Sequence, residues 1–121
     1  MISENISSFL NFIRETGELY RMSEMNGQEA DDATQDILHS LELEEHDTDD
    51  FARLAAKLKE VRERRRIAKD TMYQSSPVCD WADDNQRVLK DLERLLGEVR
   101  KREKNTENRI YTPRTNFKEE D

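Results

Sequence analysis

The sequence predicts an all-α protein with long antiparallel helices, shorter N-terminal helices, an extended C-terminal tail and a core completed by oligomerisation. Two observations lead to this class. The apolar residues recur at the spacing of one helix face, rather than being scattered as in a disordered chain. They are also few: 34% of the 121 residues are hydrophobic and 40% are charged, against roughly 45–50% and 25% in ordinary domains. A core this thin on long helices indicates that a second copy completes the fold.

The formal net charge of −8 is unevenly distributed. Residues 1–50 carry an excess of acidic side chains, and residues 51–70 carry an excess of basic ones. The acidic half argues against binding of long nucleic acid, because a phosphate backbone needs an extended basic surface. A local basic patch suits a small anion better. With a single cysteine and no apolar run of membrane length, we expect one cytoplasmic domain over residues 1–121 that has no membrane partner.

Two acidic helices are predicted in residues 1–46. Ser3 is a suitable N-cap for the first, because its hydroxyl can accept a hydrogen bond from a free N–H of the first turn. The dipeptide Asn26-Gly27 is a typical break between helices. The second helix then covers Gln28 to about Glu45.

Two long helices are predicted in residues 48–104, the first of them capped by Thr48. Along its inward face the apolar residues give way to cations, so that Arg62 and Arg65 continue the apolar stripe. Guanidinium groups on a partly covered face are costly unless carboxylate or phosphate pairs with them. Arg62 and Arg65 are therefore candidate ligands of an anion. The alternatives are ion pairs with the chain's own acids, or a solvated face.

A turn at residues 74–76 is predicted before the last helix, because Ser76-Pro77 is typical of an N-cap and first helical position. Early in this helix lies Trp81, the only indole of the chain. A base needs a flat apolar surface on which to stack, and Trp81 offers one. The alternative for Trp81 is an ordinary core or interface anchor.

Residues 105–121 form the predicted extended tail. In an extended segment alternate side chains share a side. The tail carries two guanidiniums, a hydroxyl and an aromatic ring that together suit a pyrophosphate, on Arg109, Tyr111, Thr112 and Arg114.

Four short segments taken together resemble the Thoeris anti-defence protein family of bacteriophages. They lie between Gln35 and Arg114 and read HSLEL, RERRRIAKD, LLGEVRKREK and ENRIYTPR. Members of this family bind cyclic ADP-ribose isomers, the signals made by the TIR enzyme of the defence system, and hold them without cleavage. Some also take up cyclic oligonucleotides in a separate site of a higher oligomer. The resemblance implies a base-stacking role for Trp81 and a polar contact to the base from Asn85. It also implies that the phosphates and ribose are held by Arg109, Thr112 and Arg114.

The expected function is therefore a sponge with no catalytic residue, metal or cofactor. It is a homodimer or higher homo-oligomer in the host cytoplasm that sequesters a messenger such as glycocyclic ADP-ribose and keeps it from the Thoeris effector. Two other functions remain open. The acidic half could mimic DNA in a protein–protein inhibitor. Acidic pairs such as Glu42 and Glu45 are typical of metal-dependent all-α nucleotide pyrophosphohydrolases, although the sequence shows no matched second cluster.

Overall fold

A computed structural model describes residues 1–107 and 109–116 of the chain. Over these residues the chain forms three α-helices and no strand: α1 (Ile2–Leu43), α2 (Thr48–Asp84) and α3 (Gln86–Glu107). The predicted all-α class is confirmed. Within the described ranges, no helix combines the length and the apolar character that crossing a membrane requires. Of the predicted tail, residues 108 and 117–121 lie outside the described residues.

The N-terminal half is one helix rather than the two shorter helices predicted. Its N-cap is Met1 rather than Ser3, and it runs through Asn26-Gly27 without a break. Gly27 is buried in the contact with α2, where a β-carbon on Gly27 would lie 3.6 Å from Cβ of Ala68. Packing between the helices thus holds Gly27 in a helical conformation, although glycine lowers intrinsic helix stability by about 1 kcal/mol relative to alanine.

α2 likewise continues through the predicted turn at residues 74–76. Pro77 lies inside the helix, where a proline lacks the N–H that would bond to the carbonyl four residues earlier. That carbonyl belongs to Tyr73, and it accepts a hydrogen bond from the Ser76 hydroxyl at 3.2 Å. The hydroxyl of the buried Ser75 donates to the carbonyl of Thr71 at 2.6 Å. Side-chain hydroxyls therefore support the helix where serines and a proline had predicted a break.

The break in the C-terminal half lies at Asn85, within a stretch predicted as one continuous helix. Asn85 leaves the helical conformation, with φ −124° and ψ 35°. Its side-chain Nδ2 donates to the carbonyl of Trp81 at 2.8 Å, and the Gln86 side chain donates to the carbonyl of Ala82 at 2.7 Å. The Asn85 amide thus satisfies a carbonyl that the end of the helix leaves without a backbone partner, whereas the Ala82 carbonyl also accepts the backbone N–H of Asn85 at 3.3 Å.

Residues 44–47 join α1 to α2. His46 folds back over the end of α1, with its Nε2 2.8 Å from the carbonyl oxygen of Ser40. The N-cap of α2 is Asp47, not Thr48 as predicted, because the Asp47 carboxylate accepts a hydrogen bond from the Asp50 N–H at 2.8 Å. This short connection places the two long helices side by side.

The core is a narrow seam between α1 and α2. Its positions alternate at spacings of three and four residues, as in a coiled coil. On α1 they are Ser23, Gly27, Ala30, Thr34, Ile37 and Leu41. On α2 they are Leu54, Leu58, Val61, Arg65, Ala68, Met72, Ser75 and Cys79. Most α1 positions are small, and among the described residues no large side chain is fully buried.

α3 packs on the beginning of α1, and the long helix that runs beside α2 is α1. The backbone N–H of Ser3 donates to the carboxylate of Glu103 at 3.3 Å, and Arg100 donates to the Ser7 hydroxyl at 3.4 Å. Leu96 of α3 is buried. Two further apolar side chains of this helix, Val88 and Leu95, stay exposed.

Candidate functional site

Trp81 lies in an open apolar recess between α1 and the second half of α2. The indole meets the ring of Phe9 edge to face, with ring centroids 6.2 Å apart and planes at 80°, a favourable aromatic geometry. Trp81 is still 40% exposed. The recess has a volume of ≈ 330 Å³ and is lined by Phe9, Phe12, Ile13, Pro77, Val78 and Trp81. Part of the indole is therefore open to a ligand or to a second chain.

The recess also contains Phe9, Phe12 and Pro77, which were not predicted from the sequence as site residues. Phe9 was recognisable as apolar, but the sequence does not reveal which helix it meets. A usable signal was present, since two phenylalanines three residues apart, next to the covered Ile13, widen the apolar face of α1. A face wider than one helix–helix seam indicates a second contact.

Asn85 lies one helical turn beyond Trp81, and the two residues are held together by the hydrogen bond from Asn85 Nδ2 to the Trp81 carbonyl. This bond uses one of the two donors of the carboxamide. In the described ranges no hydrogen bond reaches its Oδ1. The structure thus brings together the residue predicted to stack on a base and the residue predicted to make a polar contact with it.

The predicted tail residues lie in segment 109–116, which follows α3, has no regular secondary structure and is exposed. They are Arg109, Tyr111, Thr112 and Arg114. The segment begins near the start of α1, because Glu103 in the last turns of α3 contacts Ser3. Ser3 lies about 9 Å along α1 from Phe9, so the basic segment begins at the end of the molecule that carries the Trp81 recess.

Arg62 and Arg65 lie far from this recess. Arg65 is a half-buried seam residue, and its Nε donates to the carboxylate of Asp31 at 2.6 Å. It therefore has an acid of its own chain as partner, one of the alternatives left open by the sequence. Arg62 is exposed. Asp31, the partner of Arg65, is twenty-two residues from Phe9 on α1, or about 33 Å at the rise of an α-helix. Because Phe9 contacts Trp81, neither Arg65 nor Arg62 lies near Trp81 within a single chain.

Glu103 is the group near the basic segment whose pKa departs from its ordinary value. Hydrogen bonding from the Ser3 side chain is the largest cause that holds the pKa below 4.5. Partial burial opposes this effect, whereas the N–H groups of Ser3 and Ile2 and the α-amino charge add to it. The ionised carboxylate lies at the first turn of α1, where the helix dipole favours negative charge.

A second groove, with a volume of ≈ 340 Å³, follows the middle of the seam between α1 and α2. It contains none of the predicted site residues, and its cation Arg64 is paired with Glu60. Within residues 1–107 and 109–116, no group of three His, Cys, Asp or Glu side chains is placed to hold a metal ion. His39 is exposed, while His46 is hydrogen-bonded to Ser40.

No protein-family model, no curated protein and no solved structure matches this chain. The function is therefore inferred from the residues themselves and from their placement.

Proposed function

We propose that this protein binds a cyclic ADP-ribose-type messenger, such as glycocyclic ADP-ribose, and holds it without cleavage, as the resemblance to Thoeris anti-defence proteins implies. In an infected cell, sequestration of the messenger keeps it from the Thoeris effector. The observation that carries the proposal is the open Trp81 recess, which lies at the end of the molecule where the basic segment 109–116 begins.

The recess suits the base of such a ligand. Its lining is apolar apart from the indole N–H, and its ≈ 330 Å³ is at the lower end of the roughly 300–1,000 Å³ typical of ligand pockets. Stacking of a base on an aromatic side chain is worth about 1–3 kcal/mol. The free Oδ1 of Asn85 is an acceptor one turn away, so an exocyclic amino group of the base has a partner there.

The basic segment suits the two phosphates. Arg109 and Arg114 are exposed and can donate several hydrogen bonds in the fork geometry that matches phosphate oxygens. Hydrogen bonds to charged groups contribute about 1.5–3 kcal/mol each. Thr112 adds a hydroxyl that can form a hydrogen bond with the ribose or with a phosphate, and Tyr111 adds a second aromatic ring.

Oligomerisation is part of this proposal, because a second copy can close the open side of the recess. The chain exposes 10196 Å², whereas a compact monomer of 14.4 kDa exposes about 6,800 Å². The excess is several times the roughly 800 Å² that each partner buries in a standard interface. The exposed Phe12, Val88 and Leu95 are apolar side chains that such an interface can cover.

A retention experiment separates the proposed function from its alternatives. The protein is mixed with cyclic ADP-ribose isomers, freed of unbound ligand and heated to release what it holds. Intact isomer in the released fraction supports the sponge. A cleaved product indicates the metal-dependent pyrophosphohydrolase instead, and failure to retain any isomer indicates the acidic protein–protein inhibitor.

Titration calorimetry of Arg109→Ala tests the site itself. Loss of one charge-assisted contact to phosphate should weaken binding by about tenfold or more, since about 1.4 kcal/mol corresponds to one decade in affinity. Melting of the ligand-free protein should hardly change, because Arg109 is exposed and lies beyond α3. Arg94→Ala, an exposed arginine of α3, is the matched control and should keep wild-type affinity.

The complementary test is at Trp81. Trp81→Phe keeps a ring for stacking and should retain most of the affinity, whereas Trp81→Ala should lose it. If Arg109→Ala and Trp81→Ala both bind as the wild type does, the proposed site is wrong.

A further inference from the structure

The outer face of α1 carries an acidic ridge. Its residues are all exposed and follow one another at alternating spacings of three and four: Glu15, Glu18, Met22, Met25, Glu29, Asp32 and Asp36. In the described part of the chain none of its carboxylates takes part in an ion pair. Two methionines at the middle of the ridge, Met22 and Met25, are 61% and 64% exposed.

α2 carries a basic ridge with the same alternating spacing. It consists of Lys59, Arg62, Arg66, Lys69 and Tyr73, all of them exposed. Other arginines of α2 have acidic partners, such as Arg53 with Asp50 and Arg64 with Glu60. No ion pair involves the four cations of the ridge within residues 1–107 and 109–116.

Each ridge destabilises its own helix, because like charges three or four residues apart repel by roughly 0.2–0.5 kcal/mol per pair. Arg62 and Arg66 form such a pair on α2, and Asp32 and Asp36 form one on α1. The two ridges are opposite in sign and equal in spacing. Each ridge can therefore supply the opposite charges that the other ridge has no partner for.

We propose that the acidic ridge of one copy docks against the basic ridge of a second copy. Stripes that alternate at three and four residues allow two helices to pack side by side along their length. With the helices running in opposite directions, a register that faces Asp32 with Arg62 also faces Glu29 with Arg66. The same register puts Asp36 near Lys59, and Met22 near the ring of Tyr73. Sulfur–aromatic contacts of this kind are favourable.

A second copy fits the basic ridge better than a nucleic acid does. The four cations extend over about 15 Å of helix, a short stretch of phosphate backbone, and Glu63 and Asp70 are exposed beside them on α2. The chain as a whole carries a net charge of −8, so a long polyanion would be repelled by α1. The acidic ridge, in contrast, is an anionic partner that every copy of the chain carries, so it is always as abundant as the basic ridge.

The interface joins different surfaces of the two copies. A pair of copies therefore keeps one free basic ridge, on the first copy, and one free acidic ridge, on the second, and assembly continues until a ring closes or a filament forms. Association through the ridges is also sensitive to salt, because the Debye length shrinks from about 10 Å at about 0.1 M salt to about 3 Å at about 1 M. The proposal does not depend on the ligand of the Trp81 recess.

Charge reversal tests the proposal by sedimentation velocity. The first variant, Arg62→Glu with Arg66→Glu, places acids opposite Glu29 and Asp32 at the centre of the interface. The second, Glu29→Lys with Asp32→Lys, places cations opposite Arg62 and Arg66. Each variant alone should sediment as a smaller species than the wild type in about 0.1 M salt. An equimolar mixture should return to the wild-type size, because Glu29 and Asp32 of the first variant then face Arg62 and Arg66 of the second, and the new glutamates face the new lysines.

The control variant Arg87→Glu with Arg94→Glu makes the same change in charge on exposed residues of α3 and should keep the wild-type size. Circular dichroism melting of each variant shows that it is folded. The proposal fails if both ridge variants keep the wild-type size, or if folded variants do not reassemble when mixed. It also fails if the first variant keeps its size but loses binding to a single-stranded DNA oligonucleotide that the wild type retains, because the basic ridge then serves a polyanion.

Discussion

Glu103 connects two distant parts of the chain through a single carboxylate. It accepts hydrogen bonds from Ser3, one hundred residues earlier, at the first turn of α1. The first N–H groups of a helix have no partner within the helix, so Glu103 supplies one from α3. Ser3 was predicted to cap this helix with its own side chain. Instead it is a buried donor inside the helix, because the carboxylate that meets it comes from the other end of the sequence.

We expect Glu103→Gln to weaken the docking of α3 on α1 and to lower stability at neutral pH. Because the folded pKa of Glu103 lies below 4.5, the unfolded chain takes up its proton at a higher pH than the folded chain does. This stabilisation is therefore present above about pH 4.5 and is lost as the pH falls through the folded pKa. Chemical denaturation from neutral to acidic pH should show the two proteins converging in stability at the acidic end.

The matched control is Glu107→Gln, an exposed residue of the same helix, which should follow the wild-type pH profile. A difference between Glu103→Gln and wild type that stays constant at all pH values would contradict a role for the ionised carboxylate.

At the scale of single elements, the start of α2 allows the observed N-cap, Asp47, to be compared with the predicted N-cap, Thr48, which is the next residue. Asp47→Ala removes the acceptor of the Asp50 N–H and should cost about 1 kcal/mol, the usual cost of losing an N-cap. Thr48→Ala changes the first helical residue and should stay within about 0.5 kcal/mol of wild type. Equilibrium denaturation in urea measures both. Equal losses, or a larger loss at Thr48, would restore the cap predicted from the sequence.

The helices themselves were predictable, whereas their boundaries were not. The apolar residues Leu54, Leu58 and Val61 recur at helical spacing and lie on the observed seam, so periodicity identified the correct face of α2. The breaks expected at Gly27 and Pro77 rested on local preferences. In the fold, the packing of Gly27 against Ala68 overrides the first preference, and the hydrogen bond from the Ser76 hydroxyl overrides the second. Neither effect is visible from neighbouring residues alone.

The candidate site was predictable only in part, for a related reason. Trp81 could be selected because it is the only indole. Its neighbours Phe9 and Phe12 lie about seventy positions away in sequence, and no local pattern connects them to it. Arg65 was correctly identified as a covered cation, but its partner Asp31 could not be distinguished in sequence from the many other acids of the N-terminal half.

At the scale of the whole molecule, a chain that exposes 10196 Å² should depend on association for much of its stability. We expect its melting temperature to rise with protein concentration, because association favours the folded chain by mass action. The measurement belongs in about 1 M salt, where contacts between charged ridges are screened and apolar contacts persist. Phe12→Ser removes an exposed ring of the Trp81 recess and should reduce the dependence on concentration.

A melting temperature independent of concentration, together with a monomer in sedimentation under the same conditions, would show that the single chain is stable as it is. The apolar recess would then have no need of a second copy, and the ligand site would have to be complete within one chain.

The ion pair in the seam has a consequence for misfolding. Ser23, Gly27, Ala30 and Thr34 are similar in size, so their shapes discriminate poorly between neighbouring alignments of α1 and α2. A slip by one heptad would keep seam residues against seam residues, but in one direction it would move Arg65 from Asp31 to Leu38 and strand a half-buried charge. In the other direction Glu24 could take over as its partner. The charge alone therefore does not oppose that second slip. The Arg65–Asp31 pair thus excludes one of the two misalignments that the small side chains would otherwise permit.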